Sequence, residues 1–303
     1  FGVIYLKKKQ TLFVNLNKIF FQLFITFFNL IILSNTRVYP LNKILSERPY
    51  IKFISILGEK SFSEIIFVTH DNKAIVENFF KRSSKLESIL EEKLQKTLLA
   101  EIKGISELGK NIVSVTQNKP KGLGHAILCA RSLIAGEPFA VMLPDMVLDC
   151  HTTKNNLAIM KKNFDNSEES SLLLSKVSKS EVNKYGIAKL KKRSKHNNFF
   201  PLEDIVEKPK TKDAPSNLFV AGRYVFDNEI LKFLSKEKPD HSGEIQLTGA
   251  ISSFLKSRKV INGLLLEGDV YDCGSKQGYL KANLAFSIKD SVSKKAVLKF
   301  LKK

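Results

Sequence analysis

A strand-like run, a glycine-rich turn and a helix-like run in immediate succession constrain this chain most. Ile112-Val-Ser-Val-Thr116 is apolar and β-like. Gln117-Asn-Lys-Pro-Lys-Gly-Leu-Gly-His125 follows, and then Ala126-Ile-Leu-Cys-Ala-Arg-Ser-Leu133, which has helical character. Such a unit makes a place for a nucleotide, because residues without a Cβ let the backbone approach a base or ribose closely. The Gln117 side chain has one acceptor and two donors, which suits the edge of a uracil. Taken alone, the Gly-x-Gly turn also fits a plain tight loop. The next segment shifts the balance toward a site. Phe139-Ala-Val-Met-Leu-Pro-Asp145 reads as an apolar strand ending in a lone carboxylate, with Asp149 shortly after. In an open α/β sheet, ligands bind beyond the carboxyl ends of strands. An aspartate there is a natural ligand for a hard cation such as Mg²⁺ that also holds phosphate.

From Ile51 onward, strands and helices alternate. Glu64 to Thr69 reads as a buried strand, Lys73 to Phe80 as a helix with Asn72 as a cap, and Leu86 to Ile105 as a longer amphipathic helix. Leu172 to Val177, Tyr185 to Leu190 and Asn217 to Phe226 read as strands, and polar Lys189 to Asn198 as a hairpin tip. Glu244 to Leu255, Lys276 to Ile288 and Ser293 to Leu301 read as helices. This alternation predicts an α/β/α layered fold. With no internal repeat and no long Gly/Ser linker, residues 31–303 are expected to form one domain.

Residues 1–30 stand apart as an atypical apolar segment. Lys7-Lys8-Lys9 precedes Thr11 to Leu33, rich in Phe, Ile and Leu. A membrane anchor looks somewhat like this. Yet Asn15, Asn17, Lys18, Gln22 and Asn29 interrupt the run, and no small-residue cleavage site follows. Because the chain begins with Phe1, the start is expected to be a truncated or altered form of a longer N-terminus; a membrane anchor is the minority reading. The formal charge of +19 is high for 303 residues, and nucleic acid, an anionic surface or phosphorylated substrates are all partners that it could serve. The lysines are scattered along the whole length and no nucleic-acid motif is visible, so nucleic acid is not expected. Compositional drift accounts for most of the charge, with an anionic substrate as a secondary benefit. Cys129, Cys150 and Cys273 form an odd, unpatterned set. They match neither a zinc spacing nor a disulfide framework and fit a reducing compartment.

Further short motifs follow in order: Leu143-Pro-Asp145, Asn183-Lys-Tyr-Gly186, Val206-Glu-Lys-Pro209, Ala214-Pro-Ser-Asn-Leu218 with Gly222-Arg-Tyr224, Gly243-Glu-Ile-Gln-Leu-Thr248 and Asp272-Cys-Gly274. With Gln117 to His125 they resemble, over roughly Asn35 to Ile288, the bacterial UTP–glucose-1-phosphate uridylyltransferases. The resemblance implies a Rossmann-like nucleotide-diphospho-sugar transferase fold with a mixed sheet, a cytoplasmic homo-oligomer, and Mg²⁺ as cofactor. It implies UTP and glucose 1-phosphate as substrates, giving UDP-glucose and pyrophosphate. A sugar phosphate is already an anionic nucleophile, so catalysis there needs positioning and charge neutralisation more than a strong base.

By the same resemblance, Arg37, Asp145 and Lys208 form the catalytic set, and Gln117, Gly122 and Gly124 frame uracil and ribose. Gly186 and Glu207 meet the sugar, and Asp145 and Asp272 hold the metal. Read on their own, Glu207 and Lys208 are a charged strand edge before Pro209, Asp272 is equally a turn-forming residue before Gly274, and Gly186 is a strand irregularity. His125 reads as a packing or capping residue, and Gly243 to Thr248 as mainly structural, opening a helix beside the sugar pocket. The match fails near the N-terminus. The family's phosphate loop, Gly-Leu-Gly-Thr-Arg, corresponds here to Leu33-Ser-Asn-Thr-Arg37, with Leu33 and Asn35 in place of the glycines. The Pro-Lys-Glu-Met segment that follows in the family is deleted between Lys43 and Arg48. Backbone N–H groups of such a loop wrap a triphosphate, and leucine tolerates positive φ poorly. An active enzyme with Arg37 and Lys43 improvising the cradle, a non-catalytic nucleotide-sugar-binding remnant, and a barely folding product all remain open. A membrane-anchored basic binding protein would rest only on the N-terminal run and the charge.

Overall fold

The computed structural model describes residues 3–7, 64–69, 80–81, 84–92, 96–150, 155–191, 198–289 and 291–302. The expected helix Lys73–Phe80, apart from Phe80, and the altered segment Leu33–Arg48 lie outside them.

Among the described residues nine strands make one mixed sheet: β1 (Val3–Lys7), β2 (Glu64–Thr69), β3 (Ile112–Thr116), β4 (Phe139–Met142), β6 (Ser170–Lys176), β7 (Gly186–Leu190), β8 (Phe199–Glu207), β9 (Leu218–Phe226) and β10 (Ile261–Leu265). Their order is β3-β2-β1-β4-β9-β6-β10-β8-β7. β2–β3 and β6–β10 are parallel, while β4–β9, β6–β9 and β7–β8 are antiparallel. β1 pairs antiparallel with both β2 and β4, so Val3–Lys7 shares the sheet of the domain that the sequence placed at 31–303. A second, two-stranded sheet pairs β5 (Met146–Cys150) with β11 (Gly268–Asp272).

Nine helices accompany the strands among the described residues: α1 (Ser84–Glu92), α2 (Lys96–Gly109), α3 (Gly122–Cys129), α4 (Arg131–Ile134), α5 (Asn156–Ser167), α6 (Ile230–Leu234), α7 (Leu247–Lys256), α8 (Lys276–Ser287) and α9 (Ser291–Leu301). A 3₁₀ turn spans Lys179–Lys184. Of the single helix expected over Leu86–Ile105, α1 and α2 carry the described parts, and 93–95 lie outside the described residues. Glu244–Gln246 is not helical; α7 begins at Leu247. Asn155 caps α5, its side chain accepting from the N–H groups of Leu157 (2.9 Å) and Ala158 (3.4 Å).

Strand alternation sorts the core onto two faces, since successive side chains point to opposite sides. Ile66, Val68, Val141, Leu172, Leu174, Tyr224 and Phe226 pack on one face with Ala126, Ile127, Leu247 and Ile251 from α3 and α7. Ile65, Phe67, Ala140, Met142, Leu173 and Val225 pack on the other with Leu157, Met160 and Phe164 from α5. The result is the three-layer α/β/α arrangement that the alternation predicted. Phe226 is fully buried, with ring centroids 5.9 Å from Phe139 and 5.5 Å from Tyr224. Phe226→Ala should cost about 3–5 kcal/mol through lost burial and the cavity left behind. Urea unfolding followed by circular dichroism checks this.

Candidate active site

The glycine turn leaves β3 at Gln117, which is 3% exposed. Its Nε2 donates to Gly122 O (3.1 Å) and lies 2.9 Å from His125 Nδ1. Burial and the nearby Lys121 charge lower the His125 pKa from its ordinary value, so near neutral pH its ring is uncharged and Nδ1 can accept. His125 therefore orients Gln117, a role that the sequence reading missed. A Gln–His pair across eight residues at a strand–turn–helix junction was the available signal.

The two turn glycines are held against the protein itself. Gly124 N donates to Ile245 O (2.9 Å), and Ile245 N donates to Lys121 O (2.8 Å). A Cβ on Gly124 would lie 2.6 Å from Ile245 O, and one on Gly122 (φ +84°) would lie 2.9 Å from Glu244 Cβ. Both positions exclude a side chain because Glu244–Ile245 comes that close. The segment is itself shaped by Asp240, whose Oδ1 accepts from Ser242 N (2.8 Å) and Glu244 N (3.1 Å) and whose Oδ2 accepts from Gln246 Nε2 (2.8 Å). The Ser242 hydroxyl, which also donates to Oδ1 (2.5 Å), and the Gln246 amide do most to hold the Asp240 carboxyl well below its usual range.

Beyond β4, Leu143–Met146 turns the chain into β5 and exposes Asp145 part-way. The two-stranded sheet brings β11, and with it Asp272, to the same place. Asp145 O accepts from Cys273 N (2.8 Å), and Asp272 Oδ1 accepts from Gly274 N (3.0 Å). A methyl on Gly274 would lie 3.0 Å from Asp272 Oδ1 and 3.1 Å from Asp145 Oδ2, so the two carboxylates converge on one point. The other Asp272 oxygen accepts from the Tyr185 hydroxyl (3.1 Å). Burial, reinforced by the Asp272 charge, raises the Tyr185 pKa and keeps that proton in place. Among the described residues no group of three or more His, Cys, Asp and Glu gathers for a metal. An all-oxygen carboxylate pair fits a hard divalent cation that completes its shell with phosphate oxygens and water. Asp149, noted in the sequence as a second carboxylate, is buried and pairs with Lys289, just beyond α8.

Tyr185 also begins the third part of the site. Gly186 faces Glu207 across the β7–β8 ladder. A Cβ on Gly186 would lie 3.1 Å from Thr248 Cγ2 and 3.3 Å from Glu207 Oε2. Burial raises the Glu207 pKa, opposed by the Lys208 charge and by the hydrogen bond that the Thr248 hydroxyl donates. Lys208 takes positive φ (+42°), its N–H donates to Tyr185 O (3.0 Å), and its Nζ stands 3.8 Å from Glu207 Oε1 on the exposed side. A cleft of about 670 Å³ opens behind Tyr185 and Asp272, between the 3₁₀ turn and β11.

Gln117, Gly122 and Gly124 thus share one border with Glu244–Ile245, and Thr248 of the same segment meets Gly186 and Glu207. Tyr185 joins that pocket to Asp272 and Asp145. Arg37 lies outside the described residues. Gly243 to Thr248, read from sequence as opening a helix beside the sugar pocket, borders both the glycine turn and the Gly186–Glu207 pocket.

Two outcomes follow from this geometry. In the window between the ordinary glutamate pKa and the raised one of Glu207, the folded chain holds a proton that the unfolded chain has released. Stability therefore falls as pH rises through that window. Glu207→Gln should be more stable than the parent at pH 7.5 and lose that advantage below about pH 4, as measured by urea unfolding at the two values. Gly124→Ala should push on a backbone oxygen that cannot swing aside and cost about 1–3 kcal/mol as overpacking. Thermal unfolding with and without a uridine nucleotide should show lower stability and a smaller ligand-induced rise.

Comparison with known proteins gives one answer. The nucleotidyl transferase family model matches residues 33–287. The UTP–glucose-1-phosphate uridylyltransferase of Haemophilus influenzae is 35% identical over 279 residues, covering 88% of this chain and 94% of that protein. The Escherichia coli K12 protein of the same name is 35% identical over 266 residues, covering 84% and 87%. Among solved structures, UTP-bound UGPase from Acinetobacter baumannii superposes with a TM-score of 0.72 at 34% identity, covering 85% of this chain and 87% of that one. A UDP-glucose pyrophosphorylase complexed with UDP-glucose gives 0.66 at 32% identity, covering 80% and 87%. With its three layers and the juxtaposed glycine turn, carboxylate pair and Glu207 pocket, the chain belongs to the nucleotidyl transferase family and, within it, to the bacterial UTP–glucose-1-phosphate uridylyltransferases.

Proposed function

We propose that this chain transfers the uridylyl group of UTP to glucose 1-phosphate. A phosphate oxygen of the sugar phosphate attacks the α-phosphorus. The bond from that phosphorus to the bridging oxygen breaks, and pyrophosphate leaves with the electron pair. The observation that carries this reading is the convergence of Asp145 and Asp272 on Gly274, beside a buried carboxylate pocket and a glycine turn.

In this proposal Asp145 and Asp272 hold Mg²⁺, which when bound neutralises charge on the transferring phosphate. Tyr185 holds Asp272 in place. Glu207 accepts hydrogen bonds from glucose hydroxyls, and Gly186 leaves room for the ring. Burying Glu207 is unfavourable in the empty protein, so sugar hydroxyls that bond its carboxylate recover part of that cost. Gln117 with Gly122 and Gly124 receives uracil and ribose. Lys208 stands on the exposed side, where its charge can meet a phosphate, and Arg37 would meet the leaving pyrophosphate. Among the described residues Cys129, Cys150 and Cys273 form no disulfide, and no helix is long and apolar enough to cross a membrane; the cytoplasmic place comes from the resemblance to the bacterial enzymes. An exposed apolar stripe along α8 and its C-cap (Leu280, Leu284 and Ile288) supports the homo-oligomer that the resemblance implied.

The test is pyrophosphate release on mixing the chain with UTP, glucose 1-phosphate and Mg²⁺, beside calorimetry with UDP-glucose. We expect Mg²⁺-dependent release that Asp145→Asn abolishes with the fold intact, because the amide keeps the shape and loses the charge that a hard cation needs. The altered Leu33–Arg37 loop should limit turnover more than product affinity, since one missing preorganised donor costs roughly 10²–10³ in rate. Release of pyrophosphate by Asp145→Asn with an unchanged Mg²⁺ midpoint would remove Asp145 from the site.

A further inference from the structure

Strand β9 carries two more residues than β6 pairs with. Leu174 faces Val220, but Leu172 faces Tyr224, so Ala221, Gly222 and Arg223 occupy the space of one residue. Two extra residues leave the inside–outside alternation intact, because the side-chain period is two. They also throw Gly222 toward the turn after β4. Gly222 has φ +69°, its carbonyl accepts from Leu143 N (2.8 Å), and a Cβ on it would lie 2.8 Å from Met146 Cγ. Arg223 follows, 4% exposed. Its guanidinium donates to Leu143 O (3.1 Å), Gly222 O (3.3 Å) and Met146 O (3.0 Å).

Two of those acceptors lie on either side of Pro144-Asp145. One planar group therefore fixes both ends of the turn that presents Asp145. Filling this space needs no charge, since a buried cation is a costly filler that an apolar side chain of similar volume replaces well. What the guanidinium adds is a rigid fork that holds two carbonyls at a set separation, which a lysine ammonium does not reproduce. Burial lowers its pKa to about 10, and the Asp145 charge acts in the opposite direction, so the two groups sense each other.

We infer that Arg223 is a positioning residue for the metal step: through Leu143 O and Met146 O it holds Asp145 where it can share a divalent cation with Asp272. The inference rests on the reading of Asp145 as a metal ligand. It concerns Asp145 alone and leaves the Gln117 and Glu207 ends of the site untouched.

The test is calorimetric titration of the full chain with UDP-glucose, first without metal and then across a Mg²⁺ series, for the parent, Asp145→Asn, Arg223→Lys and the double variant. Partners behind a metal ligand contribute about 10–100-fold to metal affinity, so Arg223→Lys should raise the Mg²⁺ midpoint at least about tenfold and leave metal-free affinity within about threefold. The double variant should match Asp145→Asn, since both changes act on one contact. Equal loss of metal-free and Mg²⁺-dependent binding in Arg223→Lys would make the residue a general support and overturn the inference. So would a parent-like Mg²⁺ midpoint in a folded Arg223→Lys. If Asp145→Asn itself keeps the parent's Mg²⁺ response, the reading of Asp145 as a ligand falls and takes the inference with it. Should Arg223→Lys not fold, Arg223→Gln replaces it. Its amide can still reach one carbonyl and should give a midpoint between those of the parent and Asp145→Asn; a parent-like midpoint there also overturns the inference.

Discussion

The turn that presents Asp145 rests on a mismatch in residue number between β6 and β9. A regular ladder would give Gly222 and Arg223 partners on β6. The two-residue excess leaves them without one, while Arg223 stays paired with Met142 of β4 and its side chain packs against Leu143 and Met146. Only a residue that tolerates φ near +69° can stand at Gly222 without strain. The bulge thus converts a position deep in the sheet, where backbone is rigid, into a fixed platform for the turn at the end of β4. A carboxylate on a free loop would sample many positions; this one is held from beneath by backbone and guanidinium together.

A second constraint works from the opposite side. Residues 240–248 run past the glycine turn and then past the sugar pocket before entering α7. Asp240 sets the shape of that segment by gathering several donors on one carboxylate. Ile245 exchanges backbone hydrogen bonds with the turn, and Thr248 reaches Gly186 and Glu207. A displacement of Ile245 is therefore felt at Gln117 and at Glu207 alike. Close packing transmits such shifts because there is no free volume to absorb them.

The electrostatics follow the same division. Glu207 is held in a site that disfavours its charge, with Glu244 and Asp240 adding to the effect of burial. Arg223 is a cation in a site that disfavours a cation. Neither is a favourable arrangement for the empty protein. For Glu207 a ligand's hydroxyls can supply a partner later, whereas Arg223 is already held by three backbone carbonyls.

Much of the layout was legible in the chain. The β-like run before Gln117, the glycines after it and the apolar strand ending near Asp145 each fix local structure through backbone freedom and side-chain period. The order of the short motifs carried the family. The altered loop from Leu33 to Arg37 was visible too, as leucine where the pattern asks for glycine. Local pattern could not show what those residues touch. The pairing of β5 with β11 brings Asp272 to Asp145 across more than a hundred positions, and the Tyr185–Asp272 bond spans 87. Nor could local pattern show that the missing Cβ atoms of Gly122 and Gly124 let Glu244–Ile245 come close. His125 was read as packing and proves to be the partner of Gln117. Periodicity and propensity act over a few residues, so they determine elements and turns. Register, the bulge in β9 and the convergence of carboxylates are set by contacts between distant segments, which only tertiary structure brings together.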